Sequence, residues 1–224
     1  MTEEKKIILL STAYLPPIRY MSKLLLTGEV LLENDENYIK QTYRNRCYIT
    51  GPNGPQLLTV PVEKGSFHKV HIRNVKVDYS VRWETLHLRA LRAAYQSSPY
   101  YEYYIDELEK IYRQKPLFLF DLNRALLEVV LQETGITCRI TLTGKYFKKT
   151  SSPLVLDYRE SIHPKKERPD PLYHPVEYHQ VFSDRYGFTG EMSIVDLLFN
   201  EGPDTLHILR KTLSAGMIRT GTKR

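Results

Sequence analysis

The sequence predicts an α/β fold: a single domain with a mixed, largely parallel sheet, flanking helices and a long proline-rich loop. The first observation is a short apolar run at residues 7–10, followed by a helical segment and a second apolar run at residues 29–33. The second observation is a block of three amphipathic helices that separates two β regions. Short strands that alternate with helices are typical of a parallel sheet.

The N-terminal segment is predicted to form a strand, helix and strand in that order. The strand at residues 7–10 ends before a proline pair, and residues 19–27 have helical character with Gly28 as the C-cap. A short unit of this kind favours a parallel, right-handed crossover, with ligands beyond the carboxyl ends of the strands. Tyr14 and Asp35 would lie at those ends.

A hairpin is predicted next. Residues 41–50 and 57–62 have strand character, and the glycine- and proline-rich residues 51–55 between them are a strong turn signal. Residues 69–77 alternate in polarity but lose the phase at residues 73–74. This pattern predicts two strand pieces joined by a bulge or a turn.

Three amphipathic helices are predicted in the middle of the chain. The second follows Pro99, and the third follows Pro116 and ends at Gly135, where a C-cap glycine belongs. A strand with one polar face is expected at residues 136–142. The first helix has an apolar face made of Trp83, Leu86, His87, Ala90, Leu91 and Ala94.

The C-terminal third begins with a proline-rich segment at residues 148–175. Its five prolines and lack of a sustained period predict a long loop or lid. A helix is expected at residues 194–200, with Ser193 or a neighbour as N-cap and Gly202-Pro203 as the stop signal. A last helix is expected after that stop.

Length and composition favour one domain over residues 1–214, with a flexible basic tail at residues 215–224. Hydrophobic residues make up 42% of the 224, yet no apolar run approaches the roughly 18 residues of a spanning helix. The N-terminus is too acidic for a secretory signal, so a cytoplasmic protein without a membrane span is expected. Two cysteines without CxxC spacing predict neither a disulfide framework nor a zinc site, and no motif indicates a cofactor.

The net charge of +6 suits an anionic partner that carries phosphate. Solvated charges on the loop and the tail are the simpler explanation, and nucleic acid is the less favoured partner. The 17 tyrosines indicate either partly hydrated helix faces or a surface that stacks on carbohydrate rings or bases.

The densest group of polar side chains lies at residues 38–46. On a strand, Arg44 and Arg46 would point to the same side, and two guanidinium groups could hold a phosphate or a carboxylate. The alternative is an exposed basic strand.

Cys47 and His87 are the candidates for nucleophile and general base. The Cys47 thiolate, beside two arginines, is one interpretation, but no partnered base can be identified and a small core residue is the simpler one. His87 lies in the apolar stripe one turn after Trp83. It is either a hydrogen-bonded core histidine, which we favour, or a general base.

The chain carries an ordered set of short motifs: Tyr14-Leu15-Pro16-Pro17, Tyr43-Arg44-Asn45-Arg46, Leu58-Thr59-Val60-Pro61-Val62, Trp83 with His87, Asp121-Leu122-Asn123, Tyr178-His179-Gln180, and residues 192–202. This set resembles the WbqC-like protein family. Members of that family are found in bacterial gene clusters for O-antigen and other surface polysaccharides. One departure is the segment 148–175, which is shorter and more basic than in many members.

The resemblance implies a transferase that moves a glycyl, other aminoacyl or acyl group to an activated sugar, with a nucleotide sugar or an acyl donor as its anionic ligand. Arg44 and Arg46 would hold the anionic group, and His87 would be the base. The alternative is a non-catalytic protein whose basic, tyrosine-rich surface holds a nucleic acid or a protein partner. The other substrate-binding candidates are Tyr14, Tyr20, Tyr43, Asn45, Asp121, Asn123, Tyr178 and Gln180.

Overall fold

The fold is built around a four-stranded parallel sheet with the strand order β5-β2-β1-β6, and a separate antiparallel pair β3-β4. The computed structural model describes residues 6–64, 69–146, 152–166 and 168–214. The predicted α/β class with a largely parallel sheet is therefore confirmed. The strands are β1 (Ile7–Ser11), β2 (Glu29–Glu33), β3 (Arg46–Gly51), β4 (Gly54–Thr59), β5 (Arg139–Leu142) and β6 (Val155–Asp157).

The helices flank the sheet and the hairpin. A short 3₁₀ turn at Ile72–Asn74 lies between the hairpin and the first long helix, and a second one at Gly202–Asp204 connects the last two helices. Within the described part of the chain, no helix has the length and apolarity needed to cross a membrane. The helices are α1 (Ile18–Lys23), α2 (Trp83–Tyr95), α3 (Tyr101–Gln114), α4 (Leu119–Thr134), α5 (Ser183–Tyr186), α6 (Ile194–Glu201) and α7 (Thr205–Lys211).

The predicted N-terminal unit is present, and β1 pairs with β2 in parallel. Apolar side chains from both strands, such as Ile8 and Val30, are fully buried, which explains the uninterrupted apolar runs. Helix α1 is shorter than predicted. The backbone N–H groups of residues 24–26 bond to carbonyls three residues back, so the helix tightens into turns after Lys23.

The hairpin is confirmed, with Gly51 paired to Gly54 across the turn. The prediction that its first strand starts at residue 41 is wrong, because residues 41–45 form turns. The Thr42 hydroxyl donates to the carbonyl of Ile39, and the N–H of Asn45 donates to the carbonyl of Thr42. Such local bonds compete with a strand ladder.

The strand pieces predicted at residues 69–77 are wrong. Ile72 and Val75 are both fully buried and three residues apart, which is the spacing of a 3₁₀ turn and not of a strand. Only isolated bridges form in residues 69–77, from His71 to Asn37, from Lys76 to Phe118 and from Val77 to Val62.

The three central helices and the strand after them are confirmed. Trp83 begins α2, and α4 ends at Gly135, whose φ of +69° makes the expected left-handed cap. The N-cap of α6 is Ser193, whose side chain accepts a hydrogen bond from the N–H of Val195.

The proline-rich segment contains one strand that the sequence did not predict. Residues Val155–Asp157 form β6 and pair in parallel with β1, with Ile7 opposite Val155. This strand supplies one edge of the main sheet. The tail at residues 215–224 and residues 148–151 and 167 of the segment lie outside the described residues.

Candidate functional site

Polar side chains gather where β1, β2 and β6 end. Because these strands are parallel, their last residues Ser11, Glu33 and Asp157 reach the same edge of the sheet. Ligands of parallel α/β sheets bind beyond this edge. The position therefore agrees with the expectation from the N-terminal unit.

Arg44 is fixed at this edge by a buried carboxylate. Its Nε and Nη2 atoms donate to the two Glu36 oxygens at 2.7 and 2.6 Å, and Nη2 also donates to Ser11 Oγ at 2.7 Å. The Ser11 hydroxyl in turn donates to Glu36 at 3.1 Å. Asn123 supports the backbone, since its amide donates to the Arg44 carbonyl at 2.7 Å.

One nitrogen of Arg44 remains unused. The side chain is 4% exposed, and Nη1 has no hydrogen-bond or ion-pair partner among the residues that the structure describes. Arg44 lines a small cavity together with Ser11 and Thr12. A guanidinium that is held rigidly and has a free nitrogen is a ready hydrogen-bond donor.

Arg159 forms a second ion-pair network beside the first. It donates to both Asp157 oxygens at 3.0 and 2.6 Å and to Glu33 at 2.8 Å. Glu33 also accepts from the Thr143 hydroxyl at 2.7 Å. The two networks hold the ends of β1, β2 and β6 in one arrangement.

The small cavity adjoins a larger cleft of about 350 Å³, since Tyr43 and Ile162 line both. That volume lies in the range of ligand pockets, roughly 300–1,000 Å³. The inner part is lined by Leu10, Ser11, Thr12, Ala13, Tyr20, Tyr43, Arg44, Tyr158, Arg159 and Ile162. The mouth is lined by Arg19, Tyr43, Ile162, His163, Pro164, Lys165, Lys166 and Glu191.

The mouth of the cleft is positively charged. Arg19 is paired with Glu191 at 3.2 Å, and Lys165 donates to the Gln41 side chain. The Lys166 ammonium has no hydrogen bond or ion pair to any residue in the described ranges. The two lysines therefore leave an excess of positive charge at the entrance, which favours an anionic ligand.

His163 also faces the cleft. Partial burial and the neighbouring Lys166 lower its pKa, so the ring is neutral at pH 7. Its Nδ1 accepts a hydrogen bond from the Lys165 N–H at 3.0 Å, which places the proton of the neutral ring on Nε2. His163 can therefore donate a hydrogen bond to a ligand oxygen.

A buried lysine anchors one wall of the cleft. Lys23 on α1 is fully buried, with Nζ 2.7 Å from Asp170 and over the rings of Tyr158 and Tyr173. Burial lowers the pKa of Lys23, and the Asp170 carboxylate opposes that shift. The pair ties the proline-rich segment to α1.

Of the predicted site residues, Tyr20, Tyr43 and Arg44 line the cleft. The expectation that Arg44 and Arg46 project from one side of a strand is wrong, because Arg44 precedes β3 in a turn. Arg46 is not among the lining residues of the cleft. Asn45 is buried, and its amide donates to the Val60 carbonyl.

Tyr14, Cys47 and His87 lie in the core, away from the cleft. His87 Nδ1 is 2.8 Å from the Tyr14 hydroxyl, and its ring packs edge-on against Trp83. Burial lowers the pKa of His87 to about 4, and burial raises the pKa of the Cys47 thiol. These surroundings favour the core interpretation for both residues.

Tyr178 and Gln180 form a different cluster around Asp196. Tyr178 and Tyr95 each donate to this carboxylate at 2.5 Å, and Gln180 donates at 2.7 Å. Burial raises the pKa of Asp196 although these donors oppose the shift. The cluster packs the segment before α5 onto α6.

Asp121 lies apart, exposed in the first turn of α4.

The sequence did not single out Ser11, Glu36, Arg159 or Lys166 as site residues. Glu36 follows β2 by three residues, so the rule that ligands bind beyond parallel strand ends could have included it. Arg159 gave no such signal, because its place depends on the unpredicted strand β6.

A comparison with family models matches residues 12–166 to the WbqC-like protein family. The chain is also 32% identical over 144 residues to "Uncharacterized protein Rv1507c" of Mycobacterium tuberculosis. That match covers 63% of this chain and 62% of the relative's length. No solved structure gives a significant match. The family match includes the cleft residues from Thr12 to Lys166, and the chain belongs to the WbqC-like protein family.

Proposed function

We propose that this protein is a transferase of bacterial surface-glycan synthesis that binds an anionic substrate in the cleft at the end of the parallel sheet. The observation that carries the proposal is the cleft itself. Its mouth has positive charge from Lys165 and Lys166, and its inner wall has a fixed Arg44 with a free nitrogen. Family membership supports the biological setting.

The transfer would move an acyl or aminoacyl group onto an activated sugar. A bond forms between the acyl carbon and an oxygen or nitrogen of the sugar, and the bond between the acyl carbon and its carrier breaks. The proton of the sugar group leaves with the carrier. In this scheme the lysines bind the anionic group. Tyr43 supplies a hydrogen bond where mouth and inner cavity meet, and His163 supplies one at the mouth.

The alternative of a non-catalytic protein needs an exposed, tyrosine-rich surface. Many tyrosines are instead part of the core, and only a few, such as Tyr103, are well exposed. The positions of the tyrosines in the described residues therefore do not support this alternative. The buried tyrosines are Tyr14, Tyr20, Tyr38, Tyr43, Tyr95, Tyr101, Tyr112 and Tyr178.

Binding can be tested by calorimetry with nucleotide sugars, acyl-coenzyme A and inorganic phosphate. The double variant Lys165→Ala/Lys166→Ala should raise the dissociation constant by about tenfold or more, since one charge-assisted contact contributes about 1.5 kcal/mol or more. Lys110→Ala on α3 is the matched control, because it also removes an exposed ammonium but lies outside the cleft.

Added salt should weaken binding to the parent more than to the double variant. Equal affinity in all three proteins would contradict the proposed site. Once a ligand is found, mass spectrometry of donor and acceptor mixtures tests the transfer. A tightly bound donor and acceptor that stay unchanged would contradict the transferase and leave a binding protein.

A further inference from the structure

The two ends of the cleft differ in chemistry, and that difference bears on the ligand. At the mouth, the Lys166 ammonium has no partner within the described segments, so the charge there is available. At the inner end, Glu36 holds Arg44 through two short bonds and neutralises its charge. Glu160 adds a second carboxylate oxygen 3.7 Å from Nη2. The free Nη1 atom is therefore a directed donor on a guanidinium whose charge is already balanced by carboxylates.

A neutralised donor of this kind selects a neutral oxygen. A phosphate in the inner cavity would sit close to Glu36 and would have no unpaired cation to balance its own charge. A hydroxyl or carbonyl oxygen adds no charge and can accept directly from Nη1. The phosphate of a ligand is thus favoured at the mouth and a neutral oxygen at the inner end.

The size and lining of the inner cavity narrow the ligand further. The space has room for about one water-sized group, which admits a hydroxyl and excludes an acyl chain. Tyr43 stands between the two ends, and its hydroxyl has no partner in the described part of the chain. The inner cavity therefore takes one hydroxyl of a larger ligand, whose ring would lie at the mouth beside Tyr43. A tyrosine ring with a hydroxyl tip suits a sugar ring that carries several hydroxyl groups.

We propose that the cleft binds a sugar phosphate, with the phosphate at Lys165 and Lys166 and a sugar hydroxyl at Nη1 of Arg44. This inference rests on the proposed function and assigns the cleft to the sugar substrate, with the acyl carrier outside the inner cavity. Arg44 then distinguishes a sugar phosphate from a bare phosphate. Glu36 is a positioning residue that aims the guanidinium.

The test is calorimetry with inorganic phosphate, glucose 1-phosphate, UDP-glucose and coenzyme A. We expect glucose 1-phosphate to bind about tenfold more tightly than phosphate, the equivalent of one good hydrogen-bonded contact. Arg44→Lys keeps a cation for Glu36 but removes the free nitrogen. It should abolish the tenfold difference and leave the dissociation constant of phosphate unchanged.

Tyr43→Phe is the second variant, because it removes only a hydroxyl and keeps the test valid if Arg44→Lys does not fold. It should weaken the binding of glucose 1-phosphate but not that of phosphate. Tyr103→Phe, at an exposed position of α3, should change the binding of neither ligand. Equal binding of phosphate and glucose 1-phosphate by the parent, or tightest binding of coenzyme A, would overturn the sugar assignment. The proposed function fails separately if no anion binds or if the two lysines have no effect.

Discussion

His87 shows how burial sets the protonation of a single residue. His87 is 5% exposed, and its Nδ1 atom is hydrogen-bonded to the Tyr14 hydroxyl. Burial lowers its pKa to about 4. In the unfolded chain its pKa is about 6.5. Between these two values the unfolded state binds more protons than the folded state. The stability that depends on a neutral His87 is therefore fully present above pH 6.5, and it falls as the pH decreases toward 4.

We expect His87 to contribute about 3 kcal/mol to that loss, the equivalent of its pKa difference. The measurement is urea unfolding of the parent and of His87→Gln between pH 8 and 4. The variant should be less stable at pH 8 by about 1–3 kcal/mol, because Tyr14 loses its ring partner, and its stability should depend less on pH. An identical pH dependence in both proteins would show that His87 is not the responsible group.

Gly202 is a residue where neither the backbone nor the space admits a side chain. Its φ is +50°, and a Cβ atom there would lie 2.5 Å from the Tyr100 ring. Gly202→Ala should lower the free energy of unfolding by about 2–4 kcal/mol through backbone strain and overpacking. Thermal unfolding measures the effect.

Gly28→Ala is the control for that substitution. A Cβ atom at Gly28 meets nothing within 4 Å, and its φ is not positive. Its stability should change by less than about 1 kcal/mol. A Gly202→Ala protein as stable as Gly28→Ala would mean that Tyr100 can move away without cost.

Single residues were predictable from the sequence where local pattern decides their surroundings. The helical spacing from Trp83 placed His87 in the core stripe, and its partner Tyr14 is 73 positions away in the chain. The environment of Arg44 could not be read in this way. The neighbouring residues have strand character, which predicts that the Arg44 side chain projects from one side of a strand. Hydrogen bonds within residues 39–45 instead form turns, and the guanidinium is bonded to Glu36.

At the scale of elements, one buried ion pair joins α1 to the proline-rich segment. Lys23 and Asp170 have side chains that are 0% and 7% exposed, so removing one partner leaves a buried charge without compensation. Lys23→Met should therefore lower stability by about 3–5 kcal/mol. Chemical unfolding measures the loss.

The double variant Lys23→Met/Asp170→Leu separates charge from packing. It should recover most of the stability, since an apolar pair of similar size can replace a buried ion pair. Lys110→Met, which breaks an exposed and solvent-screened pair on α3, should leave the free energy of unfolding almost unchanged. If the double variant is as unstable as Lys23→Met, the contact of the Lys23 ammonium with the rings of Tyr158 and Tyr173 is the dominant contribution.

The elements that the sequence predicted well carry their own signal. Helices α2, α3 and α4 each repeat an apolar face over three or more turns, so no distant contact is needed to recognise them. Strand β6 has three residues, and only its pairing with β1 makes it a strand. The same dependence on distant pairing hides the candidate site, because Arg159 reaches the sheet edge through β6.

At the scale of the whole molecule, net charge and cleft position are separate facts. The net charge of +6 favours the attraction of an anion, but the topology of the chain determines where the anion binds. Strands from residues 7–11, 29–33 and 155–157 must meet before Arg44 in the inner cavity and the two lysines at the mouth line adjoining spaces. The cleft thus exists only in the folded chain.

The hydrophobic core extends beyond the residues that match the family. The family match ends at residue 166, yet α6 and α7 belong to the core. The N–H of Ile194 donates to the carbonyl of Pro16, and the Phe199 ring packs 5.3 Å from that of Tyr95. The buried side chains after residue 166 include Ile194, Val195, Leu197, Leu198, Phe199, Leu209 and Leu213.

Burying seven apolar side chains contributes roughly 10–20 kcal/mol of transfer free energy, which exceeds the net stability of most domains. A chain of residues 1–166 should therefore show no cooperative unfolding by circular dichroism. A chain of residues 1–214 keeps every contact described here and should melt within about 3 °C of the full chain, which corresponds to roughly 1 kcal/mol. A cooperative transition in the shorter chain would place the domain boundary near residue 166. A melting temperature of the longer chain far below that of the full chain would show that residues 215–224 stabilise the fold.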